Sequence, residues 1–201
     1  MFWIMKFVTW IPFVILFPCK IMGKKNIPKG KAIIVSNHKS NFDYIYIFTK
    51  VWRKQYVLSK ESLYKNWFVR WFFRSCCGIP VNRDNVSLST IKECLGVLKK
   101  EKILTIFPEG TRNKTEEPLL EFKAGASVFA VKSNSPVVPM YIIKRGRIFK
   151  RNVIVVGEPI YFDNSYKGES GTIKANEVIK QKMLELKEGY DKVKNKDKNR
   201  V

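Results

Sequence analysis

The sequence predicts a single α/β domain whose mixed, largely buried β-sheet is covered by helices, preceded by an N-terminal hydrophobic segment that associates with membranes. Three observations predict it. Four short β-branched runs are apolar on both faces, as central strands of a covered sheet are. Helical patterns lie between them, and strands alternating with helices mark the α/β class. The first 22 residues carry only two charges, Lys6 and Lys20, among two tryptophans and four phenylalanines.

Composition bounds the reading. The 201 residues are 45% apolar and 27% charged, which excludes wholesale disorder, a collagen-like repeat and a multi-span membrane bundle. Lys and Arg number 38 against 17 Asp and Glu, a net charge of +21. So large an excess calls for an anionic partner: nucleic acid, acidic headgroups, or a phosphorylated substrate. The four cysteines show no Cys-x-x-Cys spacing and there is one histidine, so no metal site or disulfide framework is expected. A reducing compartment is the natural reading.

In chain order, residues 1–22 come first. The stretch Phe7 to Cys19 gives 13 uncharged residues, short of the ~20 that a span needs. Pro12 and Pro18 are expected to break a helix there. A retained anchor lying in or dipping into the interface fits; a cleaved signal peptide lacks its small-x-small site. Lys20, Lys24, Lys25, Lys29 and Lys31 follow, suited to anionic lipid on the cytoplasmic face at ~1 kcal/mol each. The globular unit spans 23–190. Its strands are read at Ala32–Ser36, Lys102–Phe107, Val137–Ile143 and Asn152–Val156. Its helices are read at the Leu88, Ile91, Leu95, Leu98 stripe, at Ala124–Ser133 and from about Thr172 to Gly189. Residues 191–201 form a polar, lysine-rich tail expected to be disordered.

Chemistry starts at Asn37-His38-Lys39-Ser40-Asn41-Phe42-Asp43, directly after a buried strand. In one continuous helix His38 and Asp43 would stand about 140° apart, so a turn has to intervene. With Ser40 or Asn41 as N-cap, Asp43 falls in the first helical turn and can point back to the imidazole. It would then accept one ring N–H and leave the other nitrogen as a general base. Taken alone, the segment also reads as a surface histidine beside a capping Asp. The second segment, Phe107-Pro108-Glu109-Gly110-Thr111-Arg112, also ends a buried strand, which is where open α/β sheets place ligands. Gly110 allows close backbone approach, and Thr111 and Arg112 offer donors to an oxyanion or phosphate. By itself Pro-Glu-Gly is an ordinary turn.

Together the segments resemble the glycerolipid acyltransferase family whose best-known members are 1-acyl-glycerol-3-phosphate (lysophosphatidate) acyltransferases. Asn37, His38 and Asp43 match its N-H-x-x-x-x-D motif, and residues 107–112 match F-P-E-G-T-R. Gly78-Ile79-Pro80-Val81-Asn82-Arg83 is similar to the block between them, and Val138-Pro139 to the block after. Ser59-Lys60-Glu61 and Phe122-Lys123-Ala124-Gly125-Ala126 are smaller echoes, so the resemblance runs from about residue 20 to 160. Cys77 departs from it, standing where the family often has glycine, and the chain after the V-P block is short.

The resemblance implies an enzyme that moves a fatty acyl group from an acyl-CoA or acyl-carrier-protein thioester, a substrate and not a cofactor, to the hydroxyl of lysophosphatidic acid, giving phosphatidic acid. Glycerol 3-phosphate or another lysolipid is the alternative acceptor. His38, oriented by Asp43, would deprotonate that hydroxyl without any covalent intermediate. Backbone N–H groups around Glu109 and Gly110 would meet the oxyanion. The Glu109 side chain would hold glycerol hydroxyls or position its loop, and Lys60, Arg83 and Arg112 would clamp the phosphate. In so basic a chain Lys60 also reads as part of a solvated face.

Other features stay open. The run Trp67, Phe68, Arg70, Trp71, Phe72, Phe73, Arg74 lines either a membrane-facing acyl groove or a core helix. Cys76 and Cys77 read as small core fillers. A nucleic-acid-binding module would explain the charge but leaves both motifs without a role; no nucleic-acid partner is expected. A non-catalytic membrane-lipid-binding protein would explain the anchor but not an intact His and Asp. Membrane phospholipids are the expected partners, at the cytoplasmic face.

Overall fold

All four β-branched runs are strands, and three further strands complete the sheet. The structure is a computed structural model that describes residues 2–83 and 85–198. The strands are β1 (Cys19–Met22), β2 (Ala32–Ser36), β3 (Gln55–Lys60), β4 (Gly78–Val81), β5 (Ile103–Ile106), β6 (Val137–Ile142) and β7 (Asn152–Val156), and the helices α1 (Phe2–Leu16), α2 (Asp43–Lys50), α3 (Trp67–Ser75), α4 (Leu88–Lys99), α5 (Gly125–Ser133) and α6 (Gly168–Lys198). The sheet order is β1-β7-β6-β2-β5-β3-β4. Every pairing is parallel except β6 with β7, so the sheet is mixed.

β2 sits at the centre because all five of its residues are buried. Ile34 lies opposite Thr105 on one side and Val138 on the other. Side chains alternate between two cores, as strand geometry requires. Ile33, Val35, Leu104 and Tyr141 pack under α4, α5 and α6 against Leu98, Phe129 and Ile179. Ile34, Ile103, Met140 and Ile154 pack on the opposite face against Tyr46 and Ile47 of α2. Truncating a fully buried residue such as Leu98 to Ala costs about 2–5 kcal/mol.

Local signals start and stop the helices. Asn66 caps α3 by accepting from the N–H groups of Phe68 and Val69, and Ser87 caps α4 by accepting from Thr90 N–H. The α4 stripe is shifted from the one read in the sequence: Leu88 is 76% exposed, while Cys94, Val97 and Leu98 are buried. Past α3, Cys77 takes a left-handed φ of 61°, and its N–H bonds back to the Arg74 carbonyl. Glycine favours that conformation, which accounts for the family's usual residue there. Here a buried cysteine packs instead beside Phe2 and Phe48. All four cysteines are buried and free.

Three expectations need correction. Pro12 lies inside α1. Its cost of about 3 kcal/mol is offset by docking on α2: Phe13 meets Phe48, Trp10 Nε1 donates to the Thr49 carbonyl, and Lys6 Nζ donates to the Val51 carbonyl at 2.5 Å. Residues 19–22, read as the end of the membrane-associating segment, are β1 and pair with β7. The tail read as disordered from Asp191 continues α6 to Lys198, where lysines are good helix formers and Lys187 pairs with Asp191 one turn on. Asn199 to Val201 lie outside the described residues. Among the described residues no helix is long and apolar enough to cross a membrane.

Candidate active site

β2 and β5 run parallel and end side by side, which brings the two motifs together. At the end of β2, Asn37 pins the strand to its neighbour: its amide nitrogen donates to the Ile142 carbonyl at 2.9 Å and its oxygen accepts from Ile142 N–H at 2.7 Å. The chain then turns through 38–42 and enters α2. The helix starts at Asp43 with Phe42 at the cap position; Ser40 contributes its Oγ to Phe42 N–H at 2.9 Å instead.

Asp43, fully buried, organises the turn. Its Oδ2 accepts from Lys39 N–H and Ser40 N–H, both at 2.7 Å, and lies 2.9 Å from His38 Nδ1. An oxygen that already accepts two backbone donors takes the third from the imidazole, so the Nδ1–H tautomer is held and Nε2 keeps its lone pair. The ring stacks on Phe107, centroids 4.5 Å apart, and is partly exposed. Asp43 thus points back to the imidazole from the first helical turn, one of the two readings of the segment, although the cap is Phe42 and neither Ser40 nor Asn41.

The β5 loop grips the histidine from the other side. Glu109 Oε1 accepts from His38 N–H at 2.7 Å and Oε2 accepts from Leu120 N–H at 2.9 Å. Both oxygens brace backbone N–H groups of the protein, and Glu109 also borders the cavity that carries Lys60 and Arg83. Burial pushes its carboxyl above the ordinary range, and the N–H groups of Leu120 and His38 pull back against that. Asn113 N–H donates to the His38 carbonyl at 2.6 Å, while its side chain ties Thr115 and Glu117. Gly110, at φ 64°, closes a turn by donating its N–H to the Phe107 carbonyl at 3.0 Å. Its own amide is thereby engaged within the turn, and the neighbouring amides of Glu109 and Thr111 are the ones left at this loop.

Beside this loop opens a cavity of about 520 Å³ lined by Lys60, Lys65, Arg83, Gly110, Thr111 and Lys123 among others. Arg83 is held there with its pKa lowered, first by burial and then by repulsion from Arg112. Cations crowded together in this way favour an anion between them. Arg112 itself is exposed and donates to Asn41 Oδ1 at 2.8 Å, which links the second motif to the first. Lys60 borders the cavity and is exposed to solvent. Three contributors escaped the sequence reading: Lys123, whose Nζ donates to the Arg83 carbonyl at 3.0 Å, Asn113 and Asn41. Lys123 sits in a short block noted only as an echo, Asn41 was read only as a candidate helix cap, and for Asn113 there was no local signal. Among the described residues no cluster of His, Cys, Asp and Glu could hold a metal ion.

A narrower apolar cavity, about 170 Å³, runs between α1, α2 and α3, lined by Phe13, Asn41, Tyr44, Ile45, Phe72 and Phe73 among others. The outer face of α3 is open: Trp67 is 77% exposed, Phe68 55% and Trp71 44%. The aromatic run therefore divides, Phe72 and Phe73 inward and the rest toward solvent.

Comparison with known proteins places this geometry. A family model described as Acyltransferase matches residues 18–143. A 1-acyl-sn-glycerol-3-phosphate acyltransferase of Bacillus subtilis is 26% identical over 187 residues, covering 87% of this chain and 90% of that one. The one of Saccharomyces cerevisiae is 31% identical over 186 residues, covering 85% of this chain and 61% of its own. Among solved structures, the 1-acyl-sn-glycerophosphate (LPA) acyltransferase PlsC from Thermotoga maritima superimposes with a TM-score of 0.71 at 25% identity, covering 96% of this chain and 79% of that one.

Proposed function

The chain belongs to the acyltransferase family, and from that premise we propose that it acylates the free hydroxyl of 1-acyl-glycerol 3-phosphate to give phosphatidic acid. The observation that carries the reading is the pairing of His38 Nδ1 with Asp43 Oδ2 at 2.9 Å beside a cavity whose lining brings together Lys60, Lys65, Arg83 and Lys123, with Glu61 and Glu109 also at its wall.

In this mechanism Nε2 of His38 takes the hydroxyl proton as the oxygen attacks the thioester carbonyl. The new C–O bond forms, the C–S bond breaks, and the proton passes to the departing thiolate. Asp43 stabilises the imidazolium in between. The Gly110 amide being spent, the neighbouring amides of Glu109 and Thr111 are the oxyanion donors the loop has to offer. Lys60, Arg83, Lys123 and Arg112 hold the phosphate, the guanidiniums through paired N–H contacts. The apolar cavity under α1 and α3 suits an acyl chain. The donor is a thioester of coenzyme A or acyl-carrier protein, a substrate and not a cofactor.

The substrate and product are lipids, so the enzyme works at the membrane surface, at the cytoplasmic face. α1 supports this: Trp3, Ile4, Phe7, Val8, Ile11 and Ile15 are all more than half exposed, an apolar face that water does not favour and a bilayer interface does. Lys20, Lys24 and Lys25 follow it directly.

The test is an acceptor panel with purified protein and an acyl thioester, comparing lysophosphatidate, glycerol 3-phosphate and monoacylglycerol. Phosphatidic acid formed from lysophosphatidate, with the uncharged acceptor poor, is the expected result. Equal rates on all three would reject the assignment of the cavity to phosphate.

A further inference from the structure

The β6–β7 connection, residues 143–151, has a chemistry that the acyl-transfer site does not use. Lys144, Arg145, Arg147, Lys150 and Arg151, with Asn152, wall a concavity of about 440 Å³. All five cations are exposed. Among the described residues none takes part in an ion pair. Among them stand two exposed apolar side chains, Ile148 and Phe149 at 49% and 67%. Phe149 has a left-handed φ of 58°, disfavoured for a bulky L-residue. Its N–H donates to the carbonyl of Leu16, the last residue of α1, at 2.7 Å. The backbone is thus tied in a conformation that leaves the ring outside, next to the end of the apolar face of α1.

The loop is also fastened to the catalytic turn. Gly146 lies so close that a Cβ there would come within 2.5 Å of Ser40 Oγ and 3.0 Å of Tyr46. Across the sheet order, β6 and β7 lie on one side of β2, and β3 and β4, which bring Lys60 and Arg83, lie on the other. The two cationic regions therefore flank the His38 turn from opposite sides.

We propose that the β6–β7 loop is a second membrane-contact element, in which Ile148 and Phe149 enter the lipid interface while Arg145, Arg147, Lys150 and their neighbours bind the phosphates of anionic headgroups. Apolar tips ringed by cations match an anionic interface in both respects. A soluble nucleotide would use the cations and stack its base on Phe149, but it leaves Ile148 and the adjoining apolar face of α1 uncovered, whereas a lipid interface covers all of them. The proposal rests on the reading that α1 meets the membrane, and it adds a contact that holds the mouth of the site against the surface from which its substrate comes.

The test is flotation of the full chain with vesicles of neutral phosphatidylcholine and with vesicles that also contain phosphatidylglycerol. The triple variant Arg145→Gln, Arg147→Gln, Lys150→Gln should partition on the order of 100-fold less onto the anionic vesicles and like wild type onto neutral ones. Phe149→Asn, which suits a left-handed backbone, should weaken binding to both. Acylation of a detergent-dispersed acceptor should stay unchanged in all variants, and the unfolding midpoint should not fall in any of them. If wild type and the triple variant float alike on both vesicle types, α1 alone makes the membrane contact and the loop proposal falls. If the triple variant keeps vesicle binding but loses acylation in detergent, the cations serve a soluble acyl donor, which also overturns it.

Discussion

The turn that carries His38 and the cavity that carries Arg83 meet at the C-terminal ends of the parallel strands but are held in opposite ways. In the turn, Asp43, Glu109 and Asn113 each hold His38 or its neighbours by hydrogen bonds of 2.6 to 2.9 Å. In the cavity, Lys60, Lys65, Arg83 and Lys123 have no ion-pair partner among the described residues. Geometry is set in advance where a proton has to move, because a misplaced base loses rate steeply. Charge is left unmatched where the ligand supplies the counter-charge. The difference predicts that damage to the turn shows in kcat and damage to the cavity in KM.

The largest effect belongs to the turn. His38→Ala should reduce kcat by about 10² to 10⁴, and Asp43→Asn nearly as much, since it releases the tautomer without removing the base. Far-ultraviolet circular dichroism would establish that both variants remain folded; wild-type turnover in either would break the comparison at its stronger half.

Glu109→Gln sharpens it at the level of stability. One carboxylate oxygen becomes an NH₂ that faces either His38 N–H or Leu120 N–H, leaving a buried donor unsatisfied at about 1–3 kcal/mol. In a chain of this size each 1 kcal/mol lowers the unfolding midpoint by about 2–4 °C, and calorimetry should read that loss together with reduced kcat. A variant as stable as wild type, with KM alone raised, would assign Glu109 to holding the substrate.

The smallest effect lies outside the site, at the seam of α1 and α2. Lys6 is fully buried among Phe2, Phe48 and Trp52, and burial, with repulsion from Lys24 second, lowers its pKa from 10.5 to about 8. Between those values the unfolded chain binds the proton and the folded one does not. Stability should therefore rise with pH across that window, by at most about 1.4 kcal/mol per pH unit, and below about pH 8 the contribution is absent. Urea unfolding of wild type and Lys6→Met at pH 7 and 9.5 isolates the group: only wild type should gain. Equal slopes would remove Lys6 from the seam's energetics.

What the sequence made legible follows from how far each contact reaches along the chain. The His38–Asp43 pair spans five residues, so spacing showed that a turn must intervene, while the choice of the paired reading over a surface histidine needed the second motif. β2 and β6 were legible because a strand buried on both faces writes a continuous apolar run. β3 and β4 were not: β3 alternates buried and half-exposed residues, and β4 is an edge strand carrying Gly78 and Pro80. Glu109 was legible as a motif residue but not as a brace for His38, 71 positions away. Lys123 and Asn41 reach the site through contacts of the same kind. Pro12 misled because proline's helix-breaking tendency is local, whereas the packing that overrides it comes from α2.

The division between base and clamp is tested most directly by kcat and KM measured separately for His38→Ala and Arg83→Ala on one acceptor, lysophosphatidate. The account predicts that His38→Ala lowers kcat and leaves KM near wild type. It predicts that Arg83→Ala raises KM by on the order of 10- to 100-fold, as loss of a charge-assisted contact does, with kcat nearly intact and no matching loss on monoacylglycerol. An Arg83→Ala enzyme that keeps its KM for lysophosphatidate, or loses activity equally on the uncharged acceptor, would contradict it.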